Sequence, residues 1–277
     1  MMLSTFHRSA LATLIVLWLT VGCTVQPNDP AKLMPQEDAG GEVTTEELQV
    51  LLATGGATIL DARPYREYAI SHIPGAVNVA PKPGVPMSMY VSDVAEIGRL
   101  LKGNKAAPLV VYCNGPHCGK SSRLAVELRD TGYSNVRRYQ LGIPTWRAAG
   151  GVCATELDGI RHIVASDGTA VVIDSREPSE FHRATVRGAK NIPRSLVLEG
   201  KDVGEVKRAK DDGRLPMEDH NTRIVVLGSD AAAARYVAEA LAREAFHNVS
   251  YFAGPFETVH RGLTLHQARP EVSSNGR

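Results

Sequence analysis

Short hydrophobic runs alternate along this chain with longer amphipathic stretches. Buried parallel strands are predicted by the runs ATILDAR at 57–63 and PLVVYC at 108–113. A helical pattern over 121–133 follows, and Asn135-Val136 opens another strand. The capping-box sequence TTEE at 44–47 predicts an earlier helix that ends at Gly55-Gly56. This alternation predicts an α/β fold, with a parallel sheet covered by helices on both faces and ligands at the carboxyl ends of the strands.

The same order of elements returns about 113 residues later. The segment TELD at 155–158 predicts a helix start, and the runs AVVIDSR and RIVVLG predict strands. A helical pattern over 232–246 and a strand opened by Asn248-Val249 complete the second copy. Charged residues keep the register, since Asp61, Arg63 and Glu67 correspond to Asp174, Arg176 and Glu180. The chain therefore reads as a tandem duplication, with domains at 43–152 and 153–270 and a tail at 271–277.

Composition excludes several classes of protein. The chain has 277 residues, 43% of them hydrophobic and 22% charged, which are ordinary values for a globular protein. Its formal net charge is only +1, and no long basic run occurs. We therefore expect no nucleic-acid partner.

The first 22 residues have the pattern of an export signal. Arg8 precedes an apolar run, LATLIVLWLTVG, that is too short for a comfortable membrane span. The run ends in LTVGC and so resembles a bacterial lipoprotein signal, which implies lipidation of Cys23 and a lipid anchor as the only membrane contact. A polar, proline-containing stretch at 23–42 predicts a flexible tether. We expect a periplasm-facing protein of the bacterial cell envelope, with the outer membrane favoured.

Three further cysteines, Cys113, Cys118 and Cys153, would then lie in an oxidising compartment. Thiols tend to form disulfides there, so an odd number of cysteines indicates a reactive, unpaired thiol. Cys113 directly follows the strand VVY, between that strand and a helix start. The backbone N–H groups and the positive helix end at such a junction are expected to lower the pKa of a cysteine. Cys113 is therefore the candidate nucleophile, whereas Cys153 is interpreted as a small core residue.

The loop that begins at Cys113 can form a cradle for an anion. Gly115 and Gly119 can adopt positive φ and turn several N–H groups inward, and Lys120 and Arg123 add positive charge. His117 is a candidate acid–base group. The predicted cradle and substrate-binding residues are Asn114, Gly115, His117, Cys118, Gly119, Lys120, Ser121 and Arg123.

These segments resemble the rhodanese family. The resemblance rests on LDARPYREYAISHIPGAVNV, on VVYC opening a loop into a helix, and on GYSNVRRYQLGIPTW. It implies a sulfurtransferase in which a cysteine, here Cys113, carries sulfur as a persulfide between a small anionic donor such as thiosulfate and a thiol or cyanide. The second copy resembles the family more weakly and has Gly228 where the cysteine would stand.

Other interpretations stay open at this point. The loop departs from the commonest family pattern in being two residues longer and in containing Cys118, which could be a resolving thiol or the nucleophile itself. An envelope thiol-disulfide protein using Cys113 and Cys118, or a non-catalytic binding module, are the alternative functions. We expect no cofactor, and no metal, because no set of ligands with suitable Cys and His spacing occurs outside this one loop. Asp61, Arg63, Glu67 and His72 are expected to be structural.

Overall fold

A computed structural model describes residues 41–80 and 94–267. The predicted signal peptide, Cys23, nearly all of the tether and the C-terminal tail lie outside the described residues. None of the described helices is long and apolar enough to cross a membrane.

The first domain is built on a four-stranded parallel sheet with the order β2-β1-β3-β4. Its elements in chain order are α1 (Thr45–Thr54), β1 (Thr58–Asp61), α2 (Tyr65–Ile70), β2 (Val77–Asn78), α3 (Val94–Leu100), β3 (Leu109–Tyr112), α4 (Gly119–Asp130), β4 (Val136–Tyr139) and α5 (Gly142–Ala148). β3 lies between β1 and β4, so that the loop after β3 emerges at the centre of the sheet edge.

The second domain has a five-stranded parallel sheet with the order β5-β9-β8-β6-β7. Its elements are β5 (Cys153–Thr155), α6 (Leu157–Ser166), β6 (Val171–Asp174), α7 (Pro178–Arg183), β7 (Lys190–Asn191), a short 3₁₀ helix (Arg194–Leu196), α8 (Gly204–Asp211), β8 (Ile224–Gly228), α9 (Ala231–Arg243), β9 (Val249–Pro255) and α10 (Phe256–Gln267).

Each sheet buries apolar side chains on both of its faces. In the first domain, Leu48 of α1 and Trp146 of α5 pack in one cluster, and Ile97 of α3 and Leu124 of α4 pack in another. The second domain repeats this division, with α8 and α9 against one face and α6 and α10 against the other. The predicted α/β fold with helices on both faces is therefore confirmed.

Both predicted helix starts occur in the structure, but the two helices are capped differently. Thr44 accepts a hydrogen bond from the backbone of Glu47, whose carboxylate accepts one in return, so the first capping box is confirmed; Gly55 ends α1 with φ 63°. The second helix start is confirmed as well, since α6 begins at Leu157 within TELD, although its N-cap residue is Glu156 and makes no side-chain cap bond. Thr155 is instead part of β5, and its hydroxyl donates to the carbonyl of Ile70.

β5, which the hydrophobic pattern did not indicate, joins the two domains. Its backbone pairs with β9, while the side chain of Cys153 lies in the core of the first domain. Ala154 and His72 exchange two backbone hydrogen bonds of 2.8 and 2.9 Å. These bonds place the start of the second domain against the end of α2.

α2 and α6 also meet closely, and a glycine permits the approach. A Cβ atom at Gly159 would lie 1.9 Å from the carbonyl oxygen of Ala69, which belongs to the backbone and cannot simply rotate away. Tyr65 donates a hydrogen bond to Asp158 near the same contact. The spacing of the two helices therefore depends on the absence of a side chain at Gly159.

We expect Gly159→Ala to lower the free energy of unfolding by roughly 1–3 kcal/mol, because the added methyl group forces the two backbones apart. Gly168→Ala is the matched control, since a Cβ there would meet no atom within 4 Å. Urea denaturation followed by circular dichroism measures both variants. Equal midpoints for the two would show that the contact between α2 and α6 does not limit stability.

Candidate active site at the loop after β3

Six residues connect β3 to α4, from Cys113 to Cys118. Gly115 in this loop has φ 121°, a conformation that residues with a side chain rarely adopt, and the backbone N–H of Cys118 returns to the carbonyl of Gly115. The loop therefore turns back on itself and brings the two cysteines of its ends together.

Cys113 is buried at the end of β3, with 1% of its surface exposed. Its Sγ lies 3.1 Å from the carbonyl oxygen of Cys118, to which the thiol donates, and 3.3 Å from Oγ of Ser121. Burial raises the pKa of Cys113, and its hydrogen bond with Cys118 adds to the rise, although Ser121 opposes it. The expectation of a lowered pKa at this thiol is wrong for this conformation, because desolvation outweighs the N–H groups at the helix start.

Cys118 has the opposite character. It is the N-cap residue of α4 and is only half-buried. Partial burial would raise its pKa, yet the pKa is lowered, because the thiol of Cys113, the backbone N–H groups of Asn114 and Lys120 and the charge of Lys120 all stabilise the thiolate. The more acidic and more accessible thiol of the loop is thus Cys118.

The other predicted cradle residues divide into two groups. Ser121 is buried beside Cys113, and the backbone N–H groups of Asn114 and Lys120 point at Cys118. The side chains of His117 and Arg123 are exposed. The structure therefore brings together the two cysteines, the Ser121 hydroxyl and the first turn of α4.

Glu67 was interpreted as structural, but it contacts the loop directly. Its Oε2 accepts a 2.6 Å hydrogen bond from Nδ2 of Asn114. The neighbouring Arg66 on α2 contacts the ring of His162 in the second domain. The sequence held one signal for this contact. Glu67 belongs to a charged motif that both domains share, but only the first domain has a long loop after its third strand that such a residue could contact.

Gly142 is a second residue that the sequence reasoning missed. It has φ 63°, and a Cβ atom there would lie 2.3 Å from the carbonyl oxygen of Cys113 and 2.5 Å from the nitrogen of Gly115. The next residue, Ile143, donates its N–H to the same Cys113 carbonyl at 3.4 Å. The start of α5 therefore closes one side of the loop.

A buried ion pair supports the loop from below. Asp61 accepts from Arg63, whose guanidinium also donates to the carbonyl of Ser71, and from Oη of Tyr112 at 2.6 Å. His72 stacks on the ring of Tyr68 and bonds to its carbonyl. The expected structural role of Asp61, Arg63 and His72 agrees with these contacts.

The corresponding place in the second domain is closed. Only Ser229 and Asp230 connect β8 to α9. The Asp230 carboxylate accepts from the backbone N–H of Ala233 and so occupies the helix start itself. A Cβ atom at Gly228 would lie 2.7 Å from the nitrogen of Ala234. This position therefore has no room for a nucleophilic side chain. The second domain differs from the first in the shape of this turn as well as in lacking the cysteine.

A cavity of about 750 Å³ lies between the two domains. One wall is apolar and includes Leu51, Leu52 and Trp146, and the other includes Arg235 and Tyr251. No residue of the loop from Cys113 to Arg123 lines it. This cavity is therefore separate from the cysteines.

Comparison with known proteins supports one family. The family model described as the rhodanese-like domain matches residues 44–149 and 161–261. An HTH-type transcriptional regulator of Mycobacterium tuberculosis is 34% identical over 114 residues, which are 41% of this chain and 43% of that protein. The chain thus spans less than half the length of this curated relative.

Two solved structures are also similar to this chain. A thiosulfate sulfurtransferase from Pseudomonas aeruginosa has 20% identity and a TM-score of 0.35, over 83% of this chain and 43% of that one. The 3-mercaptopyruvate sulfotransferase SseA from Escherichia coli has 20% identity and a TM-score of 0.33, over 78% of this chain and 98% of that one. Because the family model matches twice and together covers most of the sequence, the chain belongs to the rhodanese-like domain family.

Proposed function

We propose that this protein is a sulfurtransferase that moves sulfane sulfur from a small anionic donor such as thiosulfate to a thiol or to cyanide, through a persulfide on Cys113. The observation that carries the proposal is the placement of Cys113 at the junction of β3 and α4, under a loop that turns N–H groups toward its two sulfurs. Membership of the rhodanese-like domain family supports the reaction class.

The chemistry requires one nucleophilic sulfur and a place for the transferred atom. A cysteine thiolate attacks the outer sulfur of thiosulfate, the S–S bond of the donor breaks, and sulfite leaves with the electron pair. The acceptor thiolate or cyanide then attacks the outer sulfur of the persulfide and releases the cysteine thiolate. Ser121 can stabilise the anionic forms at Cys113, since its backbone N–H and its hydroxyl both lie against that sulfur.

We further propose that the protein works in the bacterial cell envelope, held by a lipid on Cys23 and facing the periplasm. The support is the signal-like sequence at 1–22 and the small residue before Cys23. Donor and acceptor would then be molecules of that compartment.

A thiol-disulfide function is the second candidate, and one observation favours it. The thiol of Cys113 donates a 3.1 Å hydrogen bond to the backbone carbonyl of Cys118, so the two cysteines of the loop are in contact. Oxidation of this pair would remove two hydrogens from the protein and add no sulfur.

We expect the purified full chain, incubated with thiosulfate, to gain one sulfur, about 32 Da, as expected of a cysteine nucleophile that stores it as a persulfide. Intact-mass spectrometry measures the gain, peptide mapping of the alkylated protein locates it at Cys113, and cyanide removes it. Cys113→Ser is expected to abolish turnover of thiosulfate with cyanide.

Cys153→Ala is the matched control, because Cys153 is a buried thiol of the same domain that lies away from the loop. It is expected to load sulfur like the wild type. A wild-type protein that loses two hydrogens and gains no sulfur would contradict the sulfurtransferase proposal and support the thiol-disulfide function.

Lys120 is expected to attract the anionic donor, since its charge already acts on the sulfur of Cys118. We expect Lys120→Met to raise KM for thiosulfate roughly three- to tenfold and to leave kcat within about twofold, because the lost attraction contributes to binding more than to the chemical step. Lys207→Met removes the same charge from an exposed ion pair with Asp211 in the second domain and is the control. Equal KM values for both variants would contradict this role.

A further inference from the structure

The two cysteines of the loop differ in what can reach them. Cys113 has 1% of its surface exposed, whereas Cys118 is half-buried at the start of α4. A donor or acceptor that approaches from solvent therefore meets the sulfur of Cys118 first. Direct attack by Cys113 on a dissolved donor would require the loop to open.

The two residues are nevertheless in contact. The thiol of Cys113 donates to the backbone carbonyl oxygen of Cys118 at 3.1 Å, and each thiol shifts the pKa of the other. Gly115, at φ 121°, lies within the six-residue connection and allows its tight turn, whereas Gly119, for which the sequence also allowed positive φ, is the first residue of α4 and does not have positive φ. A sulfur atom bound to one cysteine therefore has the other cysteine as a neighbour within the same short loop.

The ionisation of the pair favours the same order of events. The pKa of Cys118 is lowered by the thiol of Cys113, by the backbone N–H groups of Asn114 and Lys120 and by the charge of Lys120, whereas the pKa of Cys113 is raised by burial. Because the pKa of Cys118 is lowered, a larger fraction of Cys118 than of an ordinary cysteine is thiolate at neutral pH. The thiolate is the reactive form in sulfur exchange, so the accessible sulfur is also the more reactive one.

From this arrangement, in which the buried thiol of Cys113 contacts the backbone of the more accessible Cys118 within one short loop, we infer that Cys118 is the entry and exit thiol for sulfur stored on Cys113. The inference deepens the proposed sulfurtransferase function and rests on it. It assigns a catalytic role to a residue that departs from the commonest loop pattern of the family.

The steps balance without an added oxidant. The Cys118 thiolate attacks the outer sulfur of thiosulfate and sulfite leaves with the electron pair, which gives a persulfide on Cys118. The Cys113 sulfur, after its proton passes to solvent, attacks the outer sulfur of that persulfide; the S–S bond breaks and Cys118 leaves as a thiolate. Reversal of this exchange returns the sulfur to Cys118, where an acceptor thiolate removes it.

Selective alkylation tests the accessibility and acidity on which the inference depends. We expect iodoacetamide at pH 7 to label Cys118 in the folded protein at least roughly tenfold faster than Cys113 or Cys153, because both thiolate fraction and access favour it. The labelling rate of Cys118 should level off at a lower pH than that of Cys113. Peptide mapping by mass spectrometry measures all three sites, and faster labelling of Cys113 would overturn the inference.

The decisive experiment follows the rate at which Cys113 gains sulfur from thiosulfate in the full chain. Wild type is compared with Cys118→Ser and with Cys153→Ala, by quenched alkylation and peptide mapping. Serine is a favourable N-cap residue, so the first variant keeps the start of α4. We expect Cys118→Ser to load Cys113 at least roughly tenfold more slowly than wild type, since the buried thiol must then attack the donor unaided, and Cys153→Ala to load at the wild-type rate.

The outcomes separate the inference from the proposed function. If Cys118→Ser loads Cys113 within twofold of the wild-type rate, Cys118 is not the entry thiol, while the sulfurtransferase function stands. If the wild type releases hydrosulfide and forms a disulfide between Cys113 and Cys118, the pair is a disulfide couple, and the inference that Cys118 passes sulfur to Cys113 is overturned. If the wild type gains no sulfur at all, the proposed function itself fails.

Discussion

The buried carboxylate of Asp61 is the constraint on which the first domain and its loop depend. Asp61 is fully buried, and an unpaired charge in such a place would be strongly destabilising. Arg63 and the hydroxyl of Tyr112 satisfy it, and Arg63 also reaches the carbonyl of Ser71. One set of hydrogen bonds therefore joins β1, the end of α2 and the last residue of β3, directly before Cys113.

The second domain repeats this arrangement and shows that it belongs to the fold rather than to the reaction. Asp174 is equally buried, and it is satisfied by Arg176 and by the hydroxyl of Thr185. Yet the connection after β8 is short, and Asp230 caps the helix that follows. The same support thus holds an open loop in one domain and a closed turn in the other. The difference in loop length decides which domain can carry a nucleophile.

Within the open loop, burial and helix geometry act on two cysteines in opposite directions. Desolvation keeps Cys113 in its protonated form, where it donates to the carbonyl of Cys118. The first turn of α4 and Lys120 stabilise the anion of Cys118. A single nucleophile would have to be both reactive and protected from solvent, whereas two cysteines in contact can divide these requirements. The proposed transfer of sulfur from Cys118 to Cys113 follows from this difference between the two cysteines.

The sequence by itself determined the α/β class, the duplication, the first helix cap and the position of Cys113 at a strand end, because hydrophobic periodicity and capping residues act over a few neighbouring positions. Only the tertiary structure decided the rest. The pKa order of Cys113 and Cys118 depends on burial, and the contact of Glu67 with Asn114 joins residues 47 positions apart. The role of β5 depends on a partner strand almost 100 residues later. Burial and long-range pairing are properties of the packed chain, and no local pattern of residues encodes them.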